Sequence, residues 1–253
     1  MKLNYRILGN GHPLVVLHGV FGSSDNWQTV GKVFAEEYKV FLVDQRNHGN
    51  SPHSDDFDYE VMADDIIELM NNEDLAKAHV LGHSMGGKVA MHLATRFPER
   101  IDKLIVVDIA PKYYPPHHQQ IFEGFNSINL KTLKSRKDAD DQMALVINSF
   151  GIRQFILKNL TRDEQGHFKW KLNVPAIEKA VDKVGQGLES EVAFSGKTLF
   201  IAGGKSDYIL PADHEHIRLL FPEAQVETIK EAGHWVHAER PQELSEMVLN
   251  FLK

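Results

Sequence analysis

Five short apolar runs recur along the chain, and stretches of helix length separate them. They read PLVVLHG (13–19), KVFLVDQ (39–45), AHVLGHS (78–84), DKLIVVDIA (102–110) and KTLFIAGG (197–204). Runs that stay apolar at odd and even positions alike belong to strands buried on both faces. The intervening segments 59–72 and 86–97 carry a helical period; MADDIIELM, for example, sets Met62, Ile66, Leu69 and Met70 on one side. Strand–helix–strand repetition leaves one economical architecture, an α/β fold with a mostly parallel central sheet and helices on both faces. A further strand is expected over AQVETI (224–229). The terminal PQELSEMVLNFLK reads as a closing helix, with Pro241 in its first turn and Leu244, Met247, Val248 and Phe251 on one face.

The alternation stops after Pro111. Residues 111–187 hold no strand-like run of comparable strength and instead show helical patterns rich in Phe, Ile and Leu. They read as a helical cap inserted into a core formed by 1–110 and 188–253. The cap contains 12 Lys and Arg against 8 Asp and Glu, so it carries +4 while the remainder carries −11.

Composition narrows the function classes. With 42% hydrophobic and 25% charged residues the chain is globular rather than disordered. A net charge of −7 and the absence of a Lys/Arg-rich run argue against a nucleic-acid partner. There are no cysteines, which excludes disulfides and Cys-based zinc sites and fits a cytoplasmic setting. MKLNYRILGN lacks the apolar region of a signal peptide, and no apolar run approaches the length of a membrane span.

Chemistry concentrates around Gly82-His83-Ser84-Met85-Gly86, a G-x-S-x-G pattern followed by Gly87. The pattern alone is common. Here a buried strand runs into it and a helix starts after it, the setting of a nucleophile elbow, where a serine hydroxyl stands exposed above the sheet on a strained turn. A serine needs a base to become nucleophilic, and the base needs an orienting acid. Of the 14 histidines, His234 is placed best, in a loop between a strand and the closing helix. His237 and His18 read as structural, and His83 as pointing away from the serine. Two aspartates compete for the acid: Asp207, just beyond one strand in GGKSDYILP, and Asp108, at the end of another in IVVDIAP. Both follow the serine and precede the histidine. The oxyanion of an acyl-transfer intermediate needs two N–H donors. Met85 is one candidate and Val20 the other, in the loop LHGVFGSSDNW, with Phe21 as its neighbour. Asp44 and Arg46 are expected to hold each other. His48 and His53 lack a third ligand at metal spacing, so no metal site is read.

Together these motifs resemble a known family. H-G-x-F-G-S-x-x-N, D-x-R-N-H-G-x-S, G-H-S-M-G-G-K, V-D-I-A-P and G-H-W-V-H-A-E-x-P are similar to those of the α/β-hydrolase superfamily, in detail its YbfF-type serine esterases and their mitochondrial relatives. The resemblance spans the chain and is thinner in the cap. It implies a cofactor-free serine esterase that cleaves small to medium acyl esters, with Ser84, His234 and Asp108 as triad and Asp207 as the alternative acid. Other superfamily chemistries stay open, namely acyl-CoA thioesterase, menaquinone-pathway enzyme and C–C bond hydrolase, and so does a non-catalytic ligand-binding receptor. The partner expected is a small-molecule acyl ester or thioester. Phe122, Phe125, Phe150, Phe155 and Trp170 in the cap, with Phe21 and Trp235 on the core, are candidates to line its pocket; helical spacing would equally make the cap aromatics the cap's own interior.

Overall fold

The computed structural model describes residues 1–253. Its main sheet contains β1 (Asn4–Leu8), β2 (His12–Leu17), β3 (Tyr38–Asp44), β4 (Ala78–His83), β5 (Ile101–Val107), β8 (Lys197–Gly203) and β9 (Ala224–Ile229). The spatial order is β1-β3-β2-β4-β5-β8-β9, parallel throughout except for β1, which runs antiparallel to β3. The two numbers skipped belong to a small antiparallel hairpin, β6 (Leu160–Arg162) and β7 (Phe168–Trp170).

The doubly apolar runs explain the layering. Along β2, Val15 and Leu17 enter one buried cluster and Leu14 and Val16 the other. The first cluster packs under α2 (Tyr59–Asn72) and α3 (Met85–Arg96). The second packs under α1 (Gln28–Phe34) and the closing helix α11 (Pro241–Leu252), which is preceded by the short α10 (Val236–Glu239). Two strand features were not legible in the sequence. β1 is mostly half-buried with one exposed residue, and β6 and β7 have three residues each, so neither makes a sustained apolar run.

Between β5 and β8 the chain leaves the sheet and forms α4 (Gln119–Asn126), α5 (Arg136–Met143), α6 (Phe150–Leu157), the hairpin, α7 (Val174–Lys179) and α8 (Val181–Gly185). Helix α9 (His214–Leu220) follows β8. The two stems of this excursion lie side by side: Leu188 donates to Pro111 and Tyr114 to Gly185, each at 2.8 Å. Lys88, on α3 and 1% exposed, donates its ammonium to Lys112 O on one stem and Gln186 O on the other. No carboxylate answers it. Tyr114 offers only its ring face, 5.2 Å away.

Burial, and secondarily Lys112, pushes the Lys88 ammonium down to about 7. An unfolded chain would hold that proton up to about 10.4. Between these limits the unfolded state binds more protons, so the Lys88 contribution to stability rises with pH. Urea unfolding of wild type and Lys88→Met from pH 7 to 9 should show wild type gaining on the variant, by up to about 1.4 kcal/mol per pH unit. A pH-independent difference would mean that Lys88 titrates normally.

Candidate active site

Strand β4 ends at His83 and helix α3 begins at Met85, so the whole turn is carried by Ser84. Its backbone lies at φ 54 and ψ −121, in the region that L residues avoid. Two glycines make that turn possible. A Cβ on Gly82 would stand 2.1 Å from the Gly86 carbonyl oxygen, and one on Gly86 would stand 2.5 Å from that of Leu17. The helix therefore starts against the backbones of β4 and β2, and the serine is lifted out at the carboxyl end of the sheet.

Three side chains meet there. Ser84 Oγ lies 3.1 Å from His234 Nε2, and His234 Nδ1 lies 2.8 Å from Asp108 Oδ2. Asp108 is fully buried, and its backbone also has positive φ, 50°. The expected strand 102–110 thus ends early, because the chain bends at the aspartate and turns its carboxylate inward. Oδ1 accepts from the Gly203 amide at 2.8 Å, and Oδ2 also accepts from the Ser206 hydroxyl. Asp207, the alternative acid, is exposed and bonds to none of these groups. Its neighbours reach the site in its place: Ser206 through Asp108, and Tyr208 by stacking on the His234 ring at 3.9 Å. Tyr208 in turn holds His117 Nε2 at 2.6 Å, and burial pushes its phenol up to about 12. Tyr114 donates to the Tyr208 carbonyl. No pattern marks Ser206 or Tyr208 in advance, since single polar residues in a loop have no period.

The oxyanion candidates also lie beside Ser84. Val20 and Met85 border the narrow space around it. The Val20 amide has no acceptor in the protein, whereas the Phe21 amide donates to His48 Nε2 at 3.3 Å. Met85 opens α3, so its N–H is among those a helix leaves unpaired. His18 fixes this loop as expected of a structural residue, with Nδ1 donating to Gly19 O at 2.8 Å and Nε2 accepting from the Gln45 amide at 3.1 Å. His83 points away from Ser84 and donates to the His234 carbonyl at 2.8 Å. His237 stacks on Trp27 at 4.5 Å. Burial holds the imidazoles of His18 and His83 below their ordinary range, and that of His237 down to about 3, so all three are neutral at pH 7.

Several expectations need correction. Arg46 does not hold Asp44. It forms a two-bond pair with Asp65, at 2.6 and 2.9 Å, while Asp44 accepts from the Ser24 and Asn50 amides and from Asn4. Nearby, His48 Nδ1 donates to Arg46 O and His53 Nε2 bonds to Lys171 O.

A cavity of about 300 Å³ opens on Ser84 and His234. Phe21, Phe155 and Trp235 line it, together with Val20, Ile121 and Ile152. No Lys, Arg, Asp or Glu does. Phe122 and Phe125 are not on its wall; they sit behind Phe21, with ring centres 5.4 and 5.7 Å from it. Trp170 packs edge-on against Phe125, and Phe150 is 64% exposed. A larger groove, about 930 Å³, lies between α1 and the start of α11, but it holds none of these groups.

Comparison with known proteins places this geometry in context. Residues 12–133 match the model of the alpha/beta hydrolase fold family. The chain is 39% identical to the mouse protein named sn-1-specific diacylglycerol lipase ABHD11, over 100% of this chain and 85% of that protein. It is 35% identical to Esterase YbfF of Escherichia coli strain K12, over 100% of this chain and 99% of that one. The solved structure titled "Marine microorganism esterase" superposes with a TM-score of 0.97 at 39% identity, covering 99% of both chains.

The Asp108–His234 bond can be read without turnover. A hydrogen-bonded Nδ1 proton of His234 should give a protected, far-downfield 1H NMR line. That line should vanish in Asp108→Asn and persist in Asp207→Asn; the reverse pattern would assign the bond to Asp207.

Proposed function

This chain belongs to the α/β-hydrolase family, and from that premise we propose that it is a serine carboxylesterase acting on neutral esters of small to medium acyl chains. The observation that carries the reading is the continuous path from buried Asp108 through His234 to Ser84, at 2.8 and 3.1 Å, with the serine on a strained turn at the mouth of a cavity that no Lys, Arg, Asp or Glu lines. A ligand-binding receptor would have no need of that alignment.

In the proposed mechanism Ser84 Oγ attacks the ester carbonyl carbon while His234 Nε2 takes its proton. Asp108 holds the ring with Nε2 toward the serine and stabilises the imidazolium that forms. The Val20 and Met85 N–H groups bind the oxyanion of the tetrahedral intermediate. Collapse breaks the bond to the alcohol oxygen, which leaves with the proton from His234. Water then enters, loses a proton to the same nitrogen and attacks the acyl carbon; the bond to Ser84 Oγ breaks, His234 returns the proton to Oγ, and the acid is released. Of the histidines that line the cavity, His234 is the one bonded to Ser84 Oγ, which makes it the working base.

Residues 111–187 act in this reading as a cap, because Ile121, Ile152 and Phe155 from that segment supply the apolar wall facing Ser84. None of its Lys or Arg side chains lines the cavity. Lys112 pairs with Asp213 at 2.6 Å, Arg153 with Asp140 at 2.8 Å and Lys183 with Asp58 at 3.4 Å. The cavity wall therefore offers a phosphate-bearing thioester carrier no Lys or Arg. A cavity of about 300 Å³ also stands at the small end of ligand pockets.

Two measurements test the proposal. Ser84→Ala should lower kcat toward a p-nitrophenyl ester by on the order of 10³-fold or more, and Asp108→Asn by about 10⁴-fold. A neutral ester should have a higher kcat/KM than the acyl-CoA of equal chain length at low and at moderate ionic strength. A CoA preference that shrinks as salt rises would instead make the cap an electrostatic guide for anionic thioesters.

A further inference from the structure

At the opposite end of the sheet from Ser84, three side chains of metal-ligating type converge. His12 opens β2, His79 is the second residue of β4 and Asp102 the second of β5. These three strands are neighbours in the parallel sheet, with Leu14 opposite His79 and Ala78 opposite Ile101. The ladders therefore fix the three backbones. One ring nitrogen from each histidine and one carboxylate oxygen of Asp102 lie within 4.8 Å of one another. His12 Nε2 is already 2.6 Å from Asp102 Oδ2, and the two imidazole rings are 4.5 Å apart.

An ion pair between His12 and Asp102 accounts for two of the three groups and leaves out His79. That ring is only 7% exposed, and its Nδ1 is buried with no hydrogen-bond partner. Buried polar atoms are normally satisfied, so an orphan on the ring that joins this cluster points to an absent partner.

We propose that His12, His79 and Asp102 bind a divalent transition-metal ion, Zn²⁺ foremost, at the amino-terminal edge of the sheet. Two imidazoles and one carboxylate form a three-ligand set that water completes. Metal–ligand bonds of about 2.0–2.1 Å in a tetrahedron set the ligand atoms about 3.4 Å apart. Reaching that spacing requires His12 and Asp102 to part slightly and His79 to draw in. His12 can move, since its side chain is 44% exposed. The metal would take the place of the proton now shared between His12 Nε2 and Asp102 Oδ2. Lys77 Nζ touches the other carboxylate oxygen, Oδ1, at 3.9 Å, and its 54% exposed side chain can turn to solvent as the ion enters. Lys103, next to Asp102 on β5, is engaged elsewhere, since its ammonium donates to the Phe251 and Leu252 carbonyls at 3.0 and 2.9 Å. A bound ion would tie three strands together at the end of the sheet that carries no cap, and would stabilise the fold by mass action.

The test uses the full chain, stripped with a chelator and titrated with ZnCl₂ and, for its spectrum, CoCl₂. Zn²⁺ should raise Tm with a stoichiometry near one, and Co²⁺ should give visible d–d bands. Both signals should persist in His234→Ala, which removes an imidazole from the histidine-rich catalytic cavity. His79→Gln and Asp102→Asn should abolish them. His12→Gln, a change on an exposed side chain that leaves the fold intact, should weaken Zn²⁺ at least ten-fold. No binding to the wild type, binding that survives His12→Gln undiminished, or binding lost in His234→Ala would each overturn the assignment. None of these outcomes depends on esterase turnover, so the site stands or falls separately from the proposed activity.

Discussion

The close approach of α3 to β4 and β2 is the constraint on which everything else at the site depends. Where Gly82 and Gly86 face one another and the Leu17 carbonyl, there is no room for a Cβ. Only that contact lets one residue, Ser84, carry the full reversal from strand to helix at φ 54. A positive φ on a non-glycine residue costs of order 1–3 kcal/mol and persists only where its surroundings force it. Here the surroundings are two buried strands and a helix with ten buried residues. The fold thus supplies the strain, and the strain sets the hydroxyl at the carboxyl end of the sheet with Met85 beside it.

The second requirement is a carboxylate that cannot turn away. Asp108 meets it through burial. Held by the Gly203 amide, the Ser206 hydroxyl and His234, it has a single arrangement that satisfies its oxygens. Tyr208 closes the remaining face of the His234 ring. Tyr114 then links that loop to the stem of the excursion between β5 and β8, which Lys88 ties to α3. The Asp108–His234–Ser84 geometry and the attachment of residues 111–187 are therefore parts of one network, and it runs through residues that no motif announces.

What could be read in advance follows from how each feature is encoded. Strands buried on both faces wrote themselves as apolar runs, and the elbow as a glycine-flanked serine at the end of one. The closing helix showed its face through Leu244 and Val248. Long-range choices were not local. Asp108 and Asp207 both stand beyond strand ends, and only the bend at Asp108 decides which carboxylate meets the imidazole. Helical period marked Phe122 and Phe125 as inward-facing, yet it could not say whether inward meant the cavity or the packing behind Phe21. Arg46 found Asp65 on α2 rather than the nearer Asp44, because Asp44 was already satisfied by backbone amides. His12, His79 and Asp102 come from three separate strands, and only the sheet register brings them together.

The central claim is that the strained Ser84 is the activated nucleophile, and active-site labelling tests it most directly. The native protein is treated with a fluorophosphonate at neutral pH, followed by intact mass and peptide mapping. The account predicts one adduct per chain, on Ser84, with labelling lost when the protein is first unfolded. An adduct on another serine, or ester turnover that continues with Ser84 unmodified, would contradict it.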